Sequence, residues 1–177
     1  MQATSLVRKN SLVNDISLIF VFSGLMVLSA CIRIPLFFTP VPFTLQTLIL
    51  YASIIVLRKK AFFSQLIYLA LGSGGLSVFA NGGAGLIYLF GPTGGYLLGF
   101  LFVAVVFPYL YPTKKSFISS LAFFTLASAV IYLFGLVHLV FFHRLSISVA
   151  LLSGFYPFIP GAIVKIVIAS GFAARCK

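Results

Sequence analysis

Long, continuous apolar runs are the feature that most constrains this chain. They fall at about residues 16–32, 43–57, 61–71, 94–111, 116–142 and 147–174. None shows the alternation of apolar and polar residues that a membrane barrel strand requires. Because a backbone inside a bilayer must satisfy its own hydrogen bonds, such runs predict helices. We therefore expect an all-α integral membrane protein, with residues 1–177 forming a single domain.

Composition supports this class and argues against a soluble domain. Hydrophobic residues make up 62% of the chain and charged residues 7%, with a mean hydropathy of +1.21. The formal net charge of +11 would suit a protein that binds nucleic acid, but the cations lie in short clusters between the apolar runs. That distribution indicates membrane topology rather than a nucleic-acid interface.

The twelve lysines and arginines predict how the chain crosses the membrane. With the N-terminus inside, nine of them fall on the inner side: Arg8, Lys9, Arg58, Lys59, Lys60, Lys114, Lys115, Arg175 and Lys177. Arg33 and Arg144 fall outside, and Lys165 lies within the last apolar run. This positive-inside bias predicts six transmembrane helices with cytoplasmic N- and C-termini. The second and third runs are short for a bilayer of about 30 Å, which suggests cavity-lining backbone beside them.

The end of the first run has a second interpretation. Leu28-Ser29-Ala30-Cys31 resembles the cleavage site of a lipoprotein signal. Five more apolar runs follow, and loss of the first would set the remaining topology against its charge bias. We therefore expect an ordinary helix end here.

The connection Gly72–Gly95 differs from a solvated loop. It holds nine of the fifteen glycines, keeps aromatic residues, and contains no Lys, Arg, Asp or Glu. An apolar, glycine-rich connection predicts a lid over a pocket at the outer face, with a re-entrant helical hairpin as the alternative. Gly91, Gly95 and Gly99 recur every four residues, which predicts close packing of the fourth helix on a neighbour.

The sequence lacks the residue sets that carry common chemistry. The segment 91–95 has neither the lysine nor the following hydroxyl residue of a phosphate loop. Asp15 is the only acid, so no acid–base set for catalysis is expected. His138 and His143 have no cysteine or carboxylate nearby in sequence, so we expect no metal site. We predict a protein that is not an enzyme and uses no cofactor.

Lys165 is the anomaly in this pattern. A lysine at hydrocarbon depth costs about 2.5–3.5 kcal/mol on insertion scales. Asp15 lies at the other end of the sequence and is not expected to pair with it. Three arrangements remain: the side chain reaches an interface, backbone carbonyls hold it, or a ligand supplies the anion. The third would make this a binding protein.

Uncharged polar residues also interrupt the apolar segments. They are Thr44, Gln46, Thr47, Gln65, Tyr68, Asn81 and Tyr96. Singly, each is more often an inter-helix hydrogen bond than a ligand contact. Together with Lys165 they predict an aromatic-lined pocket for a hydrogen-bonding, partly apolar solute that bears a carboxylate.

Four segments carry a resemblance to a known family. In chain order they are residues 33–47, 64–79, 91–100, and 157–161 followed by Lys165. Gly91-Pro92-Thr93-Gly94-Gly95-Tyr96 is the most specific of these motifs. Together they resemble the BioY family, the biotin-binding S components of energy-coupling-factor (ECF) transporters.

The resemblance implies a fold, a site and partners. The fold is a six-helix S component in the bacterial cytoplasmic membrane, with the first and third outer loops over a biotin site. Lys165 and Asn81 would hold the ligand, with Tyr96, Gln46 and Thr44 lining the pocket. The implied partners are biotin, the lipid bilayer, a coupling transmembrane subunit and ATPase subunits.

Two departures from the family pattern are visible. The family carries aspartate directly after Gly161, where this chain has Ala162, on the helix face of Lys165. The loss removes an acceptor for ligand N–H groups worth about 1.5–3 kcal/mol, and we expect backbone carbonyls or Asn81 to replace it. The first helix also lacks the small residues four apart that pack on the coupling subunit, so action alone or as an oligomer stays open.

Biotin uptake as an S component is the leading hypothesis. One alternative is an S component for a related carboxylated vitamin or precursor, which Ala162 makes conceivable. The other is a membrane scaffold that transports nothing.

Overall fold

Helices account for most of the structure. The computed structural model describes residues 2–34, 37, 39–112 and 116–176, with side chains from residue 13 onward. The helices in these ranges are α1 Gln2–Cys31, α2 Gln46–Leu57, α3 Ala61–Ser73, α4 Leu86–Leu89, α5 Gly94–Leu110, α6 Phe117–Phe141, α7 Ile147–Gly154 and α8 Ile159–Arg175. The expectation of a mainly helical protein is confirmed. Of the cations counted above, Lys114, Lys115 and Lys177 lie outside the described residues, as do the side chains of Arg8 and Lys9.

Within the described ranges, three helical stretches are long and apolar enough to cross a membrane. They are Val13–Cys31 within α1, Phe117–Phe141, and Ile147–Arg175, which joins α7 to α8. The apolar helix α5 has 17 residues, whereas α2 and α3 have 12 and 13. The last stretch is broken by a 3₁₀ turn at Tyr156–Phe158, where a proline lacks the N–H that a continuous helix needs.

The outer surface of the helices is apolar. Phe20 of α1 is 61% exposed, Leu133 of α6 59% and Ile168 of α8 52%. Large exposed apolar faces of this kind suit contact with lipid rather than water. The chain is therefore an integral membrane protein.

A short β hairpin, which the all-helical prediction did not include, lies between α1 and α2. Strand β1 (Arg33–Ile34) pairs antiparallel with β2 (Phe43–Thr44), and Arg33 stands opposite Thr44. Strand pairing requires extended backbone, so α2 begins at Gln46 rather than at 43. Residues 35, 36 and 38 of the predicted loop motif lie outside the described residues.

Helices α5 and α6 pack closely through glycine. A Cβ at Gly95 would overlap His138 and lie 2.5 Å from the carbonyl oxygen of Phe134. A Cβ at Gly99 would lie 3.1 Å from the Cα of Ile131. The predicted close approach is confirmed at these two positions. Gly91 is not part of it, because a Cβ there would meet the carbonyl of the preceding turn instead.

The glycine-rich connection folds back onto α3. The ring of Phe79 lies between Tyr68 and Tyr88, with ring centroids 5.5 and 5.0 Å away. Gly72 has no side chain where this ring packs, and its carbonyl accepts a hydrogen bond from the Gly85 N–H at 2.7 Å. Aromatic residues thus anchor the connection, in which α4 is a single helical turn.

Candidate functional site

A cavity lies where the hairpin, the glycine-rich connection and four helices meet. Helices α2, α5, α6 and α8 line it, and it encloses about 710 Å³ including its open mouth. Its aromatic lining consists of Tyr51, Tyr88, Tyr96, Phe100, Tyr132 and Phe158.

Lys165 projects into this cavity from α8. Its side chain is buried at 8% exposure, and its Nζ donates a hydrogen bond of 2.5 Å to the carbonyl oxygen of Thr44. Asp15 instead forms a salt bridge with Lys60, as expected of an acid far from Lys165. Of the three arrangements considered for Lys165, the structure shows a backbone carbonyl as its partner. A carbonyl carries no formal charge, so the cavity keeps a positive charge that a ligand can neutralise.

The hairpin reaches Lys165 because the first turn of α8 contains a glycine, Gly161. The ring of Phe43 packs where a side chain at Gly161 would stand, and it stacks parallel to Phe158 at 6.3 Å. The Nζ of Lys165 lies 4.1 Å from the centroid of the Phe43 ring. This cation–π contact and the Thr44 carbonyl together hold the ammonium group in place.

The side-chain amide of Gln46 lines the cavity and makes two hydrogen bonds. Its Nε2 donates to the hydroxyl of Tyr68 at 2.7 Å, and its Oε1 accepts from the Thr44 hydroxyl at 3.1 Å. Both contacts fix the orientation of an amide that is only 4% exposed. The hydroxyl of Thr44 therefore donates to Gln46, and its backbone carbonyl accepts from Lys165.

Tyr96 forms part of the cavity wall at the start of α5. Its hydroxyl donates to the carbonyl of Gly154 at 2.7 Å, and its ring packs edge-on against Tyr132 at 6.4 Å. Because its proton is used by the backbone of α7, the hydroxyl offers a ligand only an oxygen lone pair.

Asn81 lies outside the cavity lining. It has a left-handed φ of 62° in the turn Ala80–Gly82, and its side-chain oxygen accepts a hydrogen bond from Arg33. Its neighbour Ala80 lines the cavity, so Asn81 stands at the rim. The structure thus brings together four of the five predicted site residues, Lys165, Thr44, Gln46 and Tyr96.

Several lining residues were not predicted from the sequence, among them Tyr51, Ser128 and Tyr132. The hydroxyls of Tyr51 and Ser128 form a hydrogen bond of 2.5 Å across the cavity, and Tyr132 lies beside them. Tyr51 follows Thr47 by four residues, and Tyr132 follows Ser128 by four. Polar residues at this spacing share a helix face, a signal that the sequence contained.

The cavity suits a partly apolar organic anion or acceptor. Aromatic rings supply apolar walls, hydroxyl and amide groups supply hydrogen bonds, and Lys165 supplies the cation. Ala162 lines the cavity on the same α8 face, where it presents only a methyl group.

Comparison with known proteins gives consistent matches. The family model described as "BioY family" matches residues 2–177. A protein of Thermotoga maritima named "Biotin transporter BioY" is 41% identical over 89% of this chain and 92% of its own length. "Biotin transporter BioY2" of Lactococcus lactis is 32% identical over 93% of this chain and 90% of its own.

A solved structure shares the fold. It is the 2.1 Å crystal structure of "the S-component for biotin from an ECF-type ABC transporter", with a TM-score of 0.83. The match covers 94% of this chain and 92% of the other at 23% identity. Because the family model spans nearly the whole sequence and a relative exceeds 40% identity, this chain belongs to the BioY family.

Proposed function

We propose that this protein binds biotin and takes it up across the membrane as the S component of an ECF-type transporter. Relatives named as biotin transporters align with most of the chain, and the fold matches that of a biotin S component. The observation that carries the proposal is Lys165, a buried cation in an aromatic cavity without an acidic partner among the described residues.

Biotin matches the cavity group by group. Its fused rings and alkyl chain suit the aromatic walls, and its carboxylate or ureido oxygen suits the ammonium of Lys165. Its ureido N–H groups need acceptors, which we assign to the Thr44 carbonyl and Gln46 Oε1 in place of a carboxylate at Ala162. Asn81 remains a proposed ligand contact, which requires its side chain to leave Arg33 and turn inward.

We also propose six membrane crossings with both termini on the cytoplasmic side. Asp15, near the start of the apolar part of α1, contacts Lys60 in the turn between α2 and α3. The cations of that turn, Arg58–Lys60, therefore lie at the same end of the molecule as the start of the first apolar run. The inner side of a bacterial cytoplasmic membrane favours such cation clusters. A coupling transmembrane subunit and ATPase subunits are the proposed partners, because the chain lacks a phosphate loop of its own.

Ala162 favours one second candidate, an S component for a related carboxylated precursor. A methyl group in place of the family aspartate weakens selection for a ureido ring and leaves selection for a carboxylate intact. A biotin-like carboxylate that lacks the ureido group, such as 7,8-diaminononanoate, is therefore the suitable comparison with biotin.

Ligand-dependent stabilisation of the purified protein tests these proposals. Biotin at one hundred times its Kd should stabilise the folded protein by about 2.7 kcal/mol and raise its melting temperature. Biotin methyl ester has no free carboxylate, so a smaller stabilisation by the ester than by biotin would show that the carboxylate contributes to binding. The Ala162→Asp variant should bind the ureido group more tightly. Uptake of radiolabelled biotin in cells without their own transporter, with and without the coupling module, then tests transport. If neither stabilisation nor uptake occurs with biotin, the proposed function is wrong.

A further inference from the structure

A cluster of three cations lies at the end of α2 opposite Gln46. There the 3₁₀ turn Arg58–Lys60 connects α2 to α3. With 12 residues at about 1.5 Å of rise each, α2 separates this turn from the cavity by about 18 Å. The turn carries three consecutive cations, and nothing in the ligand cavity involves them.

Aromatic and acidic neighbours hold these cations in place. The guanidinium of Arg58 lies over the ring of Tyr111, with Cζ 3.7 Å from the ring centroid. The Nζ of Lys59 lies 4.3 Å from the centroid of Tyr109, and Lys60 pairs with Asp15. Three positive charges thus face one carboxylate. A cation–π contact uses the ring face and leaves N–H groups of the cation directed outward.

Below these cations runs an apolar groove between three helices. Leu18 of α1, Val56 of α2 and Pro108 of α5 line it, and the cations with Asp15 form its upper edge. Leu18 and Val56 are 39% and 42% exposed, so the apolar lining is open to the surroundings. The groove therefore combines a cationic rim with an apolar floor.

The two tyrosines place this groove at headgroup depth. Tyr109 is 67% exposed at the end of α5, and Tyr111 directly follows that helix. Tyrosine is enriched at membrane–water interfaces, where its ring is apolar and its hydroxyl is wet. The cations beside these rings then lie level with lipid phosphates, and the apolar floor lies level with the first methylenes of the acyl chains.

We propose that this groove binds the headgroup of an anionic phospholipid. Arg58 and Lys59 donate hydrogen bonds to the phosphate, and the glycerol and upper acyl chain lie over Leu18, Val56 and Pro108. The excess of positive charge favours an anionic over a zwitterionic headgroup. The apolar floor favours a lipid over free phosphate, which would gain nothing from it. The inference is independent of the proposed biotin function.

The test uses the full-length protein, stripped of lipid in a neutral detergent. Phosphatidylglycerol, phosphatidylcholine or inorganic phosphate is added back, and melting temperature and lipid retained in native mass spectrometry are measured. We expect phosphatidylglycerol alone to stabilise and to be retained. In Lys59→Gln, whose exposed side chain makes a folding defect unexpected, lipid affinity should fall about fivefold, the factor for one surface cation. Arg58→Gln should weaken it similarly.

Arg144→Gln is the matched control. Arg144 also has a left-handed backbone, with φ 52° against 55° for Arg58, but it lies in the turn before α7. This variant should retain phosphatidylglycerol as the parent protein does. Equal retention in Lys59→Gln, equal effects of phosphatidylcholine, or equal stabilisation by free phosphate would each overturn the proposal. If Lys59→Gln retained the lipid but no longer bound the coupling subunit, the groove would be a protein interface and the proposal would be overturned as well.

Discussion

At the scale of single residues, the cavity is organised around a cation held by a neutral partner. Lys165 donates to the Thr44 carbonyl and lies over the Phe43 ring. Neither contact neutralises its charge, so burial of the ammonium group remains unfavourable until an anion or strong acceptor arrives. The alanine at 162 reinforces this state, because a carboxylate there would neutralise the cation within its own helix face.

Replacing Lys165 with methionine should therefore weaken biotin binding while leaving the fold intact. A hydrogen bond to a charged group contributes about 1.5–3 kcal/mol, so we expect the Kd to rise about ten- to a hundredfold. Methionine keeps similar length and volume, and the melting temperature without ligand should change little. Isothermal titration calorimetry measures the Kd. Lys59→Met, at the exposed turn after α2, should bind as the parent protein does, and undiminished affinity in Lys165→Met would exclude the assigned role.

At the scale of elements, the hairpin joins the buried cation to the rim of the cavity. Thr44 on β2 accepts from Lys165, and Arg33 stands opposite Thr44 on β1. Arg33 in turn donates to Asn81 in the glycine-rich connection, next to the cavity-lining Ala80. One two-stranded element thus contacts both the cavity-lining lysine and the glycine-rich connection that forms part of the cavity wall.

Replacing Arg33 with methionine should speed the release of bound biotin. The change removes the side-chain contact between hairpin and connection and leaves the backbone pairing of the strands in place. Loss of one hydrogen bond of about 1 kcal/mol predicts a dissociation rate about fivefold faster, measured by displacement of labelled biotin. Arg144→Met should show the parent rate. A lower melting temperature with an unchanged release rate would mean that Arg33 serves only folding.

The α5–α6 interface gives a second prediction at this scale. Gly95→Ala places a methyl group against His138 and the carbonyl of Phe134, and backbone cannot yield as a flexible side chain can. Such overpacking typically costs about 1–3 kcal/mol, so the melting temperature should fall by several degrees. Gly24→Ala in α1 is the control, because a Cβ there meets nothing within 4 Å. That control should be neutral or slightly stabilising, since alanine favours helix. Equal melting temperatures for the two variants would contradict the close approach.

At the scale of the whole molecule, local patterns predicted helices well and long-range contacts poorly. Apolar runs identify helices because burial in lipid imposes the same requirement along each run. They could not show the pairing of Arg33 with Thr44, since two short strands leave no periodic signal. The Thr44 carbonyl lies 121 residues from Lys165 along the chain, and side-chain type gives no information about such a backbone partner. The sequence did contain a signal for Tyr51 and Ser128. Tyr51 lies four residues after Thr47, and Ser128 lies four residues before Tyr132, so each pair of polar residues shares a helix face.

The orientation of the whole molecule remains a prediction that thiol labelling can test. Cys31 ends α1 and is exposed beside the hairpin, whereas Lys59 lies at the opposite end of α2. The positive-inside bias puts the first outside and the second inside. A membrane-impermeant maleimide added to sealed right-side-out vesicles should label Cys31 in a Cys176→Ser background. A Lys59→Cys variant without the native cysteines should be labelled only after permeabilisation. Labelling of Lys59→Cys in sealed vesicles would mean that the orientation is the reverse of the predicted one. If both sites were labelled only after permeabilisation, they would lie on the same side of the membrane, which contradicts a single crossing by α2 between them.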